Sequence, residues 1–170
     1  IEQNTDTPIL EQKETEISLS REDALKQSER VEFENDNIIG SISLKGASID
    51  DLTFKKYKVN LEEDKKVTLL GPRNIKEGYL IDSGFVTSDK NIDIPNSNTV
   101  WSIIGNNKLT SRSPIKLSWT NKQGLTFEKV ISLDDKYLFT IKQKVFNKSG
   151  NKYDFYSYGQ IIRNEIPDII

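Results

Sequence analysis

Residues 114–163 read PIKLSWTNKQGLTFEKVISLDDKYLFTIKQKVFNKSGNKYDFYSYGQIIR. Apolar and polar residues alternate here across four runs. Ile115, Leu117 and Trp119 share one side of the first run. Leu125, Phe127, Ile131 and Leu133 share one side of the second, interrupted only by Lys129. Tyr137, Phe139, Ile141, Gln143 and Val145 follow in the third. In the fourth, Tyr153, Phe155 and Ser157 alternate with Asp154, Tyr156 and Tyr158. A period of two sends every second side chain into a core, so this stretch predicts an antiparallel sheet with one face buried. The connections Asn121–Gly124, Asp134–Lys136 and Asn147–Asn151 have the length and residue types of hairpin turns.

The pattern continues upstream in weaker form. Val31 and Phe33 alternate with Glu32 and Glu34, and Asn35-Asp36-Asn37 is a turn. Ile38–Leu44 predicts a second strand and Ile49–Val59 a third, with Leu52, Phe54 and Tyr57 as its buried members. Tyr57 breaks the register and predicts a bulge or bend. Val67–Leu70 ends at Gly71-Pro72, Tyr79–Val86 carries Gly84, and Val100–Ile104 holds Trp101. Thr87–Thr99 reads as a long surface loop. About ten short strands with almost no helix predict an antiparallel sandwich. The one helical signal is Ser20–Gln27, where Ser20 and Asp23 loosely match a capping box. Residues 1–20 are rich in Glu, Thr and Gln without a period and read as a linker. The folded part is expected from about Glu29.

Composition narrows the chemistry. The 170 residues include no Cys, His or Met. That excludes a thiol nucleophile, a disulfide frame, a Ser-His-Asp triad and a His- or Cys-ligated zinc. A chain without Met is expected to begin inside a longer protein. No apolar run is long enough for a membrane helix. The net charge is -2, and its two signs are mixed along the chain, which gives no sign of a nucleic-acid stripe.

Four constellations invite a chemical reading. The pairs Asp50-Asp51 and Asp134-Asp135 offer two carboxylates, but both sit at strand ends where Asp bends the backbone. Glu62-Glu63-Asp64 and Asp89-x-Asn91-x-Asp93 loosely suggest calcium. Ile94 and Val100 stand where such a loop needs Gly and Glu, so both read as solvated loops. Leu70-Gly71-Pro72-Arg73 lacks the glycines and following helix of a phosphate loop. Tyr153, Phe155, Tyr156 and Tyr158, with Gln160 beside them, form a candidate surface for a peptide or partner. No catalytic, cofactor-binding or metal-binding residue is assigned.

Several segments together resemble the large periplasmic domain of the YidC family of bacterial inner-membrane protein insertases. They are Val31–Tyr57, Leu69–Pro72, Gly84-Phe85, and the block from Ser118 to Gly150 followed by YSYGQIIR. The matching positions are Trp119, Gly124, Phe127, Asp135, Tyr137, Asn147, Tyr158, Gly159 and Gln160. The resemblance runs from about Arg30 to Ile170. It implies an all-β, antiparallel β-supersandwich similar to galactose mutarotase, incomplete at its C-terminus. Residues 1–29 would be a linker following a transmembrane helix, and residues 30–170 the sandwich. It further implies a non-catalytic domain on the periplasmic side of the inner membrane, without a cofactor. Its partners would be the Sec translocon components SecDF and SecYEG and nascent inner-membrane proteins. The other reading is a secreted carbohydrate-binding sandwich with an exposed aromatic platform. Mutarotase-like catalysis needs a histidine that this chain lacks.

Overall fold

The structure is a computed structural model that describes residues 19–165. The two ends, residues 1–18 and 166–170, carry most of the expected linker and the C-terminal isoleucines and lie outside the described residues. Among the described residues there is one helical turn, α1 (Arg21–Leu25), followed by eleven strands. The strands are β1 (Arg30–Glu34), β2 (Ile38–Ser43), β3 (Ile49–Lys58), β4 (Lys66–Leu70), β5 (Tyr79–Val86) and β6 (Ser102–Ile104). Then come β7 (Lys108–Leu109), β8 (Ile115–Thr120), β9 (Leu125–Leu133), β10 (Phe139–Asn147) and β11 (Tyr156–Arg163). They form an all-β fold of two sheets. The larger has seven strands in the order β11-β5-β3-β2-β1-β7, with β4 also paired to β3. The smaller has four, in the order β10-β9-β8-β6.

The core follows from alternation. Along β9, Leu125, Phe127, Lys129, Ile131 and Leu133 are buried and the residues between them are not. From the facing sheet come Val31, Phe33, Ile38, Ile42 and Ile49, all at or near full burial. Each large apolar side chain removed from water in this way contributes about 1.5–3 kcal/mol. Phe85, Phe127 and Phe155 meet at centroid distances of 5.6, 5.7 and 6.3 Å. Offset and edge-on ring pairs of this kind add a little beyond area burial.

The structure corrects four expectations. The fourth run of the C-terminal stretch does not return beside the third. Asn147–Asn151 carries the chain across to the other sheet, where β11 pairs antiparallel with β5 over eight residues. Spacing alone cannot tell a hairpin from such a crossover, because both need only a turn and a following strand. Second, Tyr57 is 55% exposed rather than buried. The β3–β4 register shifts between Thr53 and Lys58, which turns Tyr57 out of the core and leaves it edge-on to Phe54. Third, the loop Thr87–Thr99 is not wholly superficial, since it buries Ile92 and Pro95. Fourth, β7 pairs parallel with β1 and closes that edge of the large sheet. Two residues are too few to show a period.

Side-chain amides lock the layers at both ends. At one end Asn35 Nδ2 donates to the carbonyls of Asp134 and Lys136, and Asn37 Nδ2 donates to that of Asp135. At the other, Asn121 accepts on Oδ1 from the N–H groups of Gln123 and Leu125. Its Nδ2 donates to the carbonyl of Asp93 at 2.8 Å. Asn121 is buried, so each of these bonds would leave an unsatisfied group if broken.

The unusual core residue is Lys129, only 1% exposed. Its Nζ donates to the carbonyl of Ser83 on β5 and lies 5.1 Å from the Trp101 ring centroid. A β9 side chain thus bonds a β5 carbonyl and joins the two sheets. Burial lowers the amine from its ordinary 10.5 to about 8, against the opposing pull of the Asp82 carboxylate.

Two predictions follow from these contacts. The folded chain releases the Lys129 proton near pH 8, whereas the unfolded chain keeps it up to 10.5. The unfolded state therefore binds more protons between those values, and stability rises with pH across that window by about 3 kcal/mol. In Lys129→Met this rise should be missing, as read by urea unfolding of both proteins across the window. Asn121→Ala should lower stability by about 2–4 kcal/mol through its three lost hydrogen bonds, measured as the shift in unfolding midpoint.

Candidate functional site

The residues singled out in the sequence fall into three places. Tyr153 and Phe155 turn inward, with Phe155 packed on Phe127 and Phe85. Tyr156, opposite Val86 at the start of β11, is 66% exposed. Tyr158 and Gln160 gather around the buried carboxylate of Asp82. Gln160 Nε2 donates to Asp82 Oδ2 at 3.0 Å, and the Tyr158 hydroxyl reaches the same oxygen at 3.4 Å. Burial, with the carboxylate beside it, pushes the Tyr158 phenol up to about 12. The ring lies over Gly84, where an added Cβ would come within 2.9 Å of ring atoms. Gly84 is therefore a seat for the ring.

Asp82 also lines a polar cleft of about 530 Å³ on the outer side of the large sheet. Arg30, Ser43, Asp50 and Asp82 are among its lining residues, with α1, the Pro72–Asn74 turn and Ser97–Asn98 around them. Arg30 and Asp50 form a buried ion pair, and the guanidinium also donates to Ser41 Oγ. Burial holds the Asp50 carboxyl above its ordinary value, with the Arg30 guanidinium opposing it only in part. Asp51 pairs with Arg21 and accepts from Ser41 Oγ. Asp134 accepts from the N–H groups of Lys136 and Leu138. Both Asp pairs therefore do structural work, one in ion pairs and the other in a turn. Asp89 Oδ1 likewise accepts from Asn91 N–H within its own loop. None of the residues lining the cleft is aromatic.

A second concavity is apolar. Ile38, Leu52, Phe54, Leu70, Tyr79 and Ile81 of the large sheet's inner side line a groove of about 420 Å³. Tyr57, Leu69, Tyr137, Phe139 and Ile161 also line it, and Ile161 is 68% exposed. Four strands do not cover seven, so the inner face remains open here. The flanking strands β10 and β11 are each the last in their sheet. Strand alternation marked Ile38, Leu52, Phe54, Tyr137 and Phe139 as inward-facing. That they would border an open groove depended on where β11 lands, which no local pattern records.

The sequence reading also missed a charged face. Lys116 on β8 and Lys142 on β10 stand opposite Val130 of β9 from either side. Lys144 stands opposite Glu128, the one acidic residue among them. Lys142 and Lys144 are exposed, and so are Ile104 and Phe146 on the same outer face. Segment charge was the available signal. Residues 100–165 hold eleven Lys and Arg against five Asp and Glu, whereas residues 19–99 hold twelve against fifteen. Lysines alternating with inward residues look dispersed along the chain and converge only once the strands pair.

Among the described residues no helix is long and apolar enough to cross a membrane. Residues 30–169 match the family model of the YidC periplasmic domain. The chain is 61% identical over 169 residues to the membrane protein insertase YidC of Pelagibacter ubique (strain HTCC1062), covering 99% of this chain and 30% of that protein. It is 40% identical over 151 residues to the membrane protein insertase YidC of Brucella suis biovar 1 (strain 1330), covering 88% of this chain and 25% of that protein. With the corresponding insertase of Allorhizobium ampelinum it shares 37% over 159 residues, 93% of this chain and 26% of the relative. The chain thus spans less than a third of the length of these relatives. The family match reaches from the first strand through the last, and with these identities it places the chain in the YidC periplasmic domain family.

Proposed function

We propose that this chain is a non-catalytic periplasmic module that assists membrane protein insertion by holding an extended segment of a client or partner. Residues 30–170 form the module in this reading, and residues 1–29 tether it to the membrane. The observation that carries it is the apolar groove between Tyr137 and Ile161, flanked by the terminal strands β10 and β11. A terminal strand presents a row of free N–H and C=O groups, and an added strand satisfies them whatever its sequence. The groove beside it supplies apolar contact for alternate side chains. Together they suit segments that share extended shape and hydrophobicity but no sequence, as emerging membrane proteins do. SecDF, SecYEG and nascent inner-membrane proteins are the partners this reading names. Tyr153, Phe155, Tyr156, Tyr158 and Gln160 enter it as the stretch that leads into and forms β11.

The rival reading, a carbohydrate-binding module, draws on the polar cleft, whose Asp, Arg, Asn and Ser side chains would suit hydroxyl groups. The missing aromatic platform weighs against it. Titrating glycans while following amide NMR shifts would separate the two, since only the rival moves Arg30, Asp82 and Asn98.

A photo-crosslinking residue at Tyr137, across the groove from Ile161, in the full-length parent protein should capture nascent chains or a translocon subunit. Ile161→Asp should cut that capture at least about tenfold, given the ~1.5–3 kcal/mol an apolar side chain of this size gains on burial. Equal capture by a probe at exposed Ser88, on another part of the surface, would overturn the proposal.

A further inference from the structure

The outer face of the four-stranded sheet is a separate surface from both concavities. We infer that it docks on an anionic phospholipid surface. Three lysines, Lys116, Lys142 and Lys144, project from β8 and β10 on either side of β9. Neighbouring strands lie about 4.8 Å apart, which puts β8 and β10 about 10 Å apart across β9, and alternate residues lie about 6.8 Å apart, so the three ammonium groups are spaced by about one Debye length. Glu128 is the sole carboxylate among the face's strand residues, and its salt bridge with Lys116 is long, at 3.8 Å. Lys142 and Lys144 appear in none of the ion pairs among the described residues. The turns beside the face add Lys122 and Lys148, brought together where Lys148 N–H donates to the carbonyl of Gly124.

Shape and hydrophobicity point to a bilayer rather than to an acidic polypeptide. The face is a sheet surface, and its lysines line neither of the two concavities described above. Two apolar side chains, Ile104 and Phe146, sit at its opposite edges and are about half exposed. Lysines around exposed aromatic and aliphatic side chains match the boundary between headgroups and acyl chains. The charge is local as well: the chain as a whole is net negative, so general attraction to an anionic surface would not select this face. The family connection supplies a bilayer, since the relatives are membrane protein insertases.

The test is co-sedimentation of the whole 170-residue chain with vesicles of phosphatidylglycerol and phosphatidylethanolamine, against vesicles of phosphatidylcholine alone. Binding is expected only to the first and should weaken steeply as salt is raised. Each lysine near such a surface contributes about fivefold. Replacing Lys116, Lys142 and Lys144 together with Gln should therefore weaken binding on the order of a hundredfold. Replacing Lys58, Lys65 and Lys76 with Gln removes the same charge from elsewhere and should leave binding nearly intact. Phe146→Ser should weaken it severalfold at unchanged salt dependence. Equal losses in the two triple variants would overturn the proposal, as would absence of binding to anionic vesicles. Binding to polyglutamate but not to vesicles would also overturn it, and would assign the face to an acidic polypeptide.

Discussion

A single charged side chain ties the two layers of this domain. Lys129 sits where alternation along β9 calls for a hydrophobe, yet it is as buried as its neighbours and donates across the core to Ser83 on β5. An apolar residue at that position would pack with many offsets between the sheets. An ammonium group tolerates few, because its hydrogens must find an acceptor or bear the full cost of lost hydration. With Trp101 against it and Asp82 nearby, Lys129 restricts how the small sheet can slide over the large one. The placement of Gln143 opposite Gly84, of the Phe85–Phe127–Phe155 cluster, and of the groove beside them all depends on that alignment.

The two layers are unequal, and the surfaces of interest come from that inequality. The large sheet exceeds the small one, so part of its inner face becomes the floor of an apolar groove. Its outer side is occupied near Arg30, Asp50 and Asp82 by ion pairs and turns that frame a polar cleft. The small sheet presents one face to the core and a lysine-bearing face to solvent. Three surfaces of different chemistry thus arise on one scaffold in this member of the YidC periplasmic domain family.

Much of the fold was legible in the sequence because burial follows a period of two. β1, β5, β8 and β9 fall where their alternation places them, and Ser20 caps α1 through the Asp23 N–H as its spacing suggests. The failures have a common physical origin. The destination of β11, the parallel pairing of β7 and the outward turn of Tyr57 are settled by contacts between residues far apart in sequence. The surfaces were less legible than the core for the same reason. Tyr153 to Gln160 read on paper as a strip with two faces, Tyr153 and Phe155 on one and Tyr156 and Tyr158 on the other. In the folded chain the strip divides between the core, the solvent and the surroundings of Asp82. Lys129 looked like an error in the pattern, because a sequence carries no sign of an acceptor waiting on the opposite sheet.

The parallel pairing of β7 with β1 bears on how molecules of this kind can associate. It finishes one side of the large sheet, and among the described residues β11 is the terminal strand at the other. Two molecules meeting there would join in a symmetric pair and thereby use up the border each one offers. Growth through β11 would then stop at two, and a strand that could otherwise seed fibres would be confined to a closed, finite assembly.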